Sequence, residues 1–305
     1  MSREIIFIVG PTASGKTEAA VSLAKKIKAE IISMDSMQIY KGMRILTSWP
    51  RREFLRSVKH YLVGGLPNSK EHNVSQYRKD SLKIVDKIFS RGKTPIFVGG
   101  SGLYFSILLE GIFEGSRSDQ KLRIRLERLA KKYGKNYLYK RLIKADPEAA
   151  SRIHPNDTRR VIRALEVFLT KGERITKLHN ERIGLRSDYK IKAFCLNIER
   201  SKLYDRINER VEKMLKEGLL IEVKRLLKHK LSKTAACAIG IRELEDYFNS
   251  RISLAEAKEL IKRNTRRYAK RQLTWFRKSK DLKWINLRGT EKASQVSNLI
   301  WKELS

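Results

Sequence analysis

The residues with the clearest chemical content are Gly10-Pro11-Thr12-Ala13-Ser14-Gly15-Lys16-Thr17, in which four residues separate two glycines and Lys and Thr follow. Backbone N–H groups of such a loop, with the positive end of the helix behind it, cradle a di- or triphosphate. Lys16 would reach the phosphate oxygens, and the Thr17 hydroxyl would hold Mg²⁺. The spacing does not say whether those phosphates belong to a nucleotide or to another diphosphate. Asp35, in Asp35-Ser36-Met37-Gln38-Ile39-Tyr40, could bind metal, accept a proton or cap a turn. Gly99-Gly100-Ser101-Gly102 reads either as a tight turn or as a helix start that offers further N–H donors. Arg206 and Arg210, four apart on a helix, share a face that could close on a phosphate or lie in solvent. His60, His72 and His154 lack the mutual spacing of a metal site and are expected to be structural or superficial.

These groups need elements to hold them. Ile5 to Val9 is an unbroken apolar run rich in β-branched residues, the mark of a strand buried on both faces. Ala19, Ala20, Leu23, Ala24 and Ile27 then recur at helical spacing, so the glycine loop joins a strand to a helix. Further strands are expected at 31–34 and 95–98, with a helix over 81–89 between them. The pattern predicts an α/β fold, a P-loop NTPase-like parallel sheet flanked by helices, with ligands at the carboxyl ends of its strands. The phosphate loop, Asp35 and Ser101 would share that edge.

From Gly115 to about Arg186 the chain carries short basic helices without strand signal, entered through Gly111 and Gly115 and left near Gly184. An all-helical insertion, residues 116–187, is therefore expected inside a core made of 1–115 and 188–305. Pro147 and Pro155 segment it. Asp157 can cap a helix with Val161, Ala164, Leu165 and Phe168 on one face and Arg159, Arg163 and Glu166 elsewhere. Strand character returns at 190–198, helices follow over 201–227, Gly240 breaks them, and a long helix is expected over 254–278. In that helix Ile261, Tyr268 and Trp275 recur every seven residues, opposite Arg263, Arg267, Lys270, Thr274 and Arg277.

The charge balance names a class of partner. Of 305 residues, 67 are Lys or Arg and 33 Asp or Glu, a formal net charge of +34, far beyond what solubility requires. Residues 1–115 hold 18 basic and 10 acidic side chains, while the rest hold 49 and 23, so a polyanion is expected mainly on the later part of the chain. Residues 251–283 alone carry 12 basic against 3 acidic side chains, a density suited to a phosphate backbone. No apolar run reaches the roughly 20 residues of a membrane span, and the start lacks a secretory pattern, so a cytoplasmic protein without membrane contact is expected. Cys195 and Cys237, the only cysteines, cannot build a disulfide framework or a zinc site and are expected to be reduced and partly buried.

Taken together, these segments resemble the tRNA dimethylallyltransferases, the tRNA isopentenyl transferase family. The resemblance covers nearly the whole chain and rests on Gly10 to Thr17, Asp35 to Met43, Val98 to Tyr104, Asp157 to Glu166, Ala238-Ile239-Gly240 and Arg266 to Phe276, in that order. It implies transfer of a dimethylallyl group from dimethylallyl diphosphate to N6 of the adenosine just 3′ of the anticodon, with the loop binding the prenyl diphosphate rather than ATP. It further implies that Asp35 accepts the amine proton and that Lys16, Mg²⁺ on Thr17 and Arg206 or Arg210 stabilise the leaving diphosphate. Asp35, Ser36, Met37 and Gln38 would read the adenine. Ser101, Arg123, Arg159, Arg160, Val161, Ile162, Arg163, Gly240 and Arg242 would contact the anticodon stem-loop, and a monomer is expected.

The chain departs from the family at two places. Ile241 stands where a tyrosine usually follows the glycine, which removes a hydroxyl or stacking surface near the tRNA. His60-Tyr61-Leu62-Val63-Gly64 lacks the usual second histidine and the Ile-Asp after the leucine. The lack of a Cys/His finger favours the bacterial type. Without the resemblance, the first third of the chain would equally suit a phosphate-loop kinase of a nucleoside or small metabolite, and the basic helices a non-catalytic RNA-binding protein.

Overall fold

The computed structural model describes residues 3–112, 119–180 and 182–304. Two compact units emerge, one of Met1–Ser106 with Asp188–Ser305, the other Ile107–Ser187. Gly115, where the sequence suggested entry into the insertion, lies outside the described residues.

The first unit is built on a six-stranded parallel sheet of β1 (Glu4–Val9), β2 (Ala29–Ser33), β3 (His60–Tyr61), β4 (Thr94–Gly99), β5 (Lys190–Ile198) and β6 (Lys283–Leu287), in the order β3-β2-β4-β1-β5-β6. This is a P-loop NTPase-like fold. Central β1 is apolar at every buried position because both faces are covered. On one face Ile6 and Ile8 join Leu23, Leu196 and Ile207 in a core cluster. On the other Phe7 stacks on Phe97 at 4.8 Å and meets Phe105 edge-on at 5.3 Å. Strands β2, β4 and β1 are neighbours, so the segments leaving their carboxyl ends lie side by side. Those segments carry Asp35, Gly99 to Ser101 and the phosphate loop.

Several elements differ from the sequence expectation. The helix expected from residue 81 spans Val74–Phe89, because Asn73 and Gln76 form a reciprocal cap at its start. Strand β6 and the Ala293–Lys302 helix were not anticipated; in β6 only Ile285 and Leu287 are buried, a two-residue alternation too short to stand out. The long helix spans Leu254–Phe276 and starts on a Ser253/Glu256 capping box. Ile261 is buried and Tyr268 and Trp275 are half-buried, whereas Arg263, Arg267, Lys270, Thr274 and Arg277 are exposed. Cys195 is fully buried, but Cys237 is exposed rather than partly buried. No described helix is long and apolar enough to cross a membrane.

The second unit packs its helices around Leu126, Leu138, Leu142, Val161, Ile162, Leu165 and Val167. Pro147 stands at the first position of its helix, where its missing N–H costs nothing, and Asp146 caps that helix by accepting from Ala149 N at 3.0 Å. Asp157 caps Thr158–Lys171 by accepting from Arg160 N at 3.2 Å.

Candidate active site

The phosphate loop takes the conformation its glycines permit. Gly10 and Gly15 have φ of 145° and 80°, and Ala13 is held at φ 62°. Lys16 folds back over the loop, its Nζ donating to Pro11 O at 2.5 Å and reaching Ser14 Oγ at 3.4 Å. Both arginines of the 206/210 pair close on this loop rather than lie in solvent. Arg210 donates from Nη1 to Thr12 Oγ1 at 3.1 Å and from Nε to Ser48 Oγ at 2.8 Å, while Arg206 Nη1 approaches Ala13 O at 3.5 Å.

Among the described residues none of these three cations is ion-paired, which is costly unless an anion is to arrive. Burial, with the like charge of Arg210 behind it, pulls the Lys16 ammonium down to about 8, although Asp35 opposes the shift. Burial likewise lowers Arg210. Lys16 keeps part of its surface open to the cavity, so the protein atoms around it are a dense but incomplete enclosure.

Asp35 sits two residues past β2. Its Oδ1 accepts from Met37 N at 2.9 Å, so the turn-capping role is real, and the cap fixes the carboxylate where it lines the cavity. Burial, and then the negative charge of Asp35, raises the hydroxyl pKa values of Tyr268 and Tyr104. Asp35 is therefore within electrostatic reach of both tyrosines and of Lys16 and Arg210. A cavity of about 1080 Å³ joins Thr12 to Thr17, Asp35 to Gln38, Arg206, Arg210 and Tyr268. The same cavity is also lined by the apolar side chains of Ile45, Leu46, Trp49, Phe54, Val63 and Met214.

Other expected contacts are placed differently. Gln38 lines the cavity while accepting from Ser33 Oγ at 2.9 Å and donating to Thr47 O and Ser48 O at 3.3 and 3.2 Å, which ties it to the turn at Ser48. Ser36 and Met37 also line the cavity. Ser101 stands ahead of the Gly102–Glu110 helix, with Tyr104 N 3.4 Å from its Oγ. Gly240 is buried, and its N–H donates to Glu243 Oε2 at 2.8 Å; Arg242, two residues on, is exposed.

In the helical unit Val161 and Ile162 are core residues, 1% and 6% exposed, and present no side chain to a partner. Glu166, expected to project outward, is fully buried and accepts from Arg123 Nε and Nη2 at 2.9 Å each and from Arg163 Nη1 at 2.7 Å. Arg123 and Arg163 are thereby tied to the interior, while Arg159 and Arg160 stay exposed, Arg160 within 3.4 Å of Asp157.

Comparison with known proteins decides what family this geometry belongs to. The IPP transferase family model matches residues 38–279. Curated tRNA dimethylallyltransferases from Thermoanaerobacter sp. (strain X514) and Carboxydothermus hydrogenoformans are 44% and 43% identical over 93% and 99% of this chain and 92% and 98% of theirs. The chain belongs to the IPP transferase family.

Among solved structures, the tRNA isopentenylpyrophosphate transferase of Bacillus halodurans aligns with TM-score 0.73 at 38% identity, covering 100% of this chain and 97% of its own. A eukaryotic dimethylallyltransferase captured acting on tRNA aligns with TM-score 0.81 at 27% identity over 99% and 79%. Within this IPP transferase the two sequence departures acquire physical meaning. Ile241 is 3% exposed and belongs to the core cluster of Leu46 and Ile261. At Gly64, φ 63°, an added Cβ would lie 2.1 Å from Trp49 Cη2, so the Trp49 indole packs directly on this glycine.

The sequence left Gln272, Ser48, Trp49 and His60 without a role, yet all line the cavity. Gln272 had a legible signal, a polar residue on the apolar stripe of the long helix. His60 had none, because its burial depends on edge strand β3.

Proposed function

We propose that this enzyme transfers a dimethylallyl group from dimethylallyl diphosphate to N6 of the adenosine 3′-adjacent to the anticodon in tRNA, giving N6-dimethylallyladenosine. The observation that carries this reading is a single cavity lined both by Lys16 and Arg210, which have no ion-pair partner among the described residues, and by the Asp35 carboxylate. The donor diphosphate lies on the loop amides with Lys16, Arg206 and Arg210, and the prenyl chain lies against the apolar side chains of the cavity. N6 attacks C1 of the donor, the C1–O bond breaks, the N6 proton passes to Asp35, and diphosphate leaves onto the cations that stabilise it.

An adenine amine is a weak nucleophile, so removing its proton as the new bond forms matters most when attack runs ahead of leaving-group departure. The target base must leave its stack to reach Asp35, at a cost of a few kcal/mol that contacts elsewhere on the RNA offset. The exposed Arg159, Arg160 and Arg242 and the outer face of the Leu254–Phe276 helix are the groups we assign to those contacts.

Mg²⁺ fits this site as an ion carried by the diphosphate. Thr17 supplies one hydroxyl, and no group of three or more His, Cys, Asp or Glu among the described residues forms a metal cage. When bound it neutralises charge on the departing diphosphate.

Anticodon stem-loop RNA incubated with the protein, Mg²⁺ and dimethylallyl diphosphate should yield adenosine heavier by one dimethylallyl group less a hydrogen on nucleoside mass spectrometry. Phosphate transfer from ATP to a small acceptor, with no prenyl transfer, would overturn the reading.

A further inference from the structure

Gln272 is a polar side chain, 5% exposed, on the inward face of the Leu254–Phe276 helix. Its amide is divided between two loops that are far apart in sequence. Oε1 accepts from Thr12 N in the phosphate loop at 2.9 Å, and Nε2 donates to Gly100 O after β4 at 3.0 Å. The approach at Gly100 tolerates no side chain, since an added Cβ would lie 1.9 Å from Gln272 Nε2. One turn further along the helix Trp275 rests on Gly102 in the same manner and donates from Nε1 to Ser106 Oγ at 3.2 Å. Thr12 is thus gripped twice, by Gln272 at its backbone and by Arg210 at its hydroxyl.

A buried amide that only filled space would be replaced at little cost by an apolar side chain. This one satisfies a donor of one loop and an acceptor of the other, and both loops line the reaction cavity. We propose that Gln272 is a positioning residue that sets the distance between the diphosphate cradle and the Gly99 to Ser101 segment, and thereby the alignment of donor and acceptor in the loaded complex. The inference rests on the prenyl-transfer reading above. Because Gln272 belongs to neither substrate's site alone, its loss should reach the step that needs both, where a displacement of about 1 Å can cost about 100-fold in rate.

The test compares wild type with Gln272→Leu and Gln272→Glu. Three quantities are measured: single-turnover prenyl transfer to an anticodon stem-loop RNA, affinity for inorganic pyrophosphate, and affinity for the RNA. Gln272→Leu should slow transfer about 100-fold while both affinities stay within about threefold. Gln272→Glu keeps an acceptor for Thr12 N but sets a carboxylate oxygen against Gly100 O, so it should slow transfer at least as much as Leu does. If Gln272→Leu fails to fold, Gln272→Glu decides alone. Unchanged transfer, or transfer lost in proportion to pyrophosphate affinity, would overturn the proposal. Absence of prenyl transfer in wild type would instead sink the functional reading beneath it.

Discussion

The two units handle positive charge in opposite ways. In the sheet unit Lys16, Arg206 and Arg210 converge on neutral oxygens of the phosphate loop and have no ion-pair partner among the described residues. In the helical unit Arg123 and Arg163 close on fully buried Glu166. The first arrangement stores an unmet demand for an anion. The second meets its demand internally and gives the unit rigidity. A basic residue therefore cannot be assigned to a ligand by its charge or its helix position alone; what matters is whether a carboxylate has already claimed it.

The most severe break of this contrast is at Asp35. Asp35→Asn keeps an oxygen to accept from Met37 N but cannot take a proton, so transfer should fall about 10³-fold while RNA affinity holds. Single-turnover rates beside a binding isotherm check this. A rate within tenfold of wild type would mean the base lies elsewhere.

Glu166 carries the corresponding test for the helical unit. Burial pushes its carboxyl up, but hydrogen bonds from Arg123 and Arg163 outweigh it and hold the group below the ordinary carboxylate range. Its stabilising effect is complete above the ordinary value and fades as pH falls through the lowered one. Glu166→Gln should cost about 2 kcal/mol, since the arginines it releases are 37% and 33% exposed and water offsets part of the loss. Thermal unfolding across acid pH should show the wild type losing its advantage over the variant as Glu166 is protonated.

Lys16 responds at the other end of the pH scale. With its pKa pulled down to about 8, the ammonium that must hold the diphosphate is lost as pH rises through that value rather than two units higher. Pyrophosphate affinity should be flat below pH 8 and fall about tenfold per unit above it, whereas Lys16→Arg should remove the inflection. Between about 8 and the ordinary lysine value the unfolded chain binds more protons, so this group adds stability with rising pH just where ligand affinity declines. An affinity flat to pH 10 would show that the loop does not enclose Lys16 tightly.

How much of this the sequence could reveal follows the same physics. The phosphate loop, Asp35 and Ser101 were legible because a parallel sheet brings the carboxyl ends of β1, β2 and β4 together whatever fills the rest. The capping boxes at Asn73 and Ser253 are equally local, yet the first went unread, and the helix it starts was expected only from residue 81. Partnerships across long separations were hidden. Glu166 read as an outward residue because a helix face says nothing of Arg123, 43 positions away. Gln272 meets Thr12 across 260 residues, and Trp49 fills the space above Gly64 only once the fold is closed. Gly240, Val161 and Ile162 are buried within the segments that resemble RNA-binding stretches, whereas Arg159, Arg160 and Arg242 in the same segments are exposed.

The smallest effect sharpens the contrast within one helix. Arg159 is exposed at the start of Thr158–Lys171, while Arg163, one turn on, is bound to Glu166. A single phosphate contact contributes about one unit to the slope of log affinity against log salt, and only a few-fold in affinity near 100 mM salt. Arg159→Ala should therefore flatten that slope by about one unit and leave the melting temperature alone. Arg163→Ala should lower the melting temperature and leave the slope as it was. If both variants flatten the slope equally, the arginines on Glu166 also touch phosphate, and a buried carboxylate would then be shaping an RNA contact rather than withdrawing it.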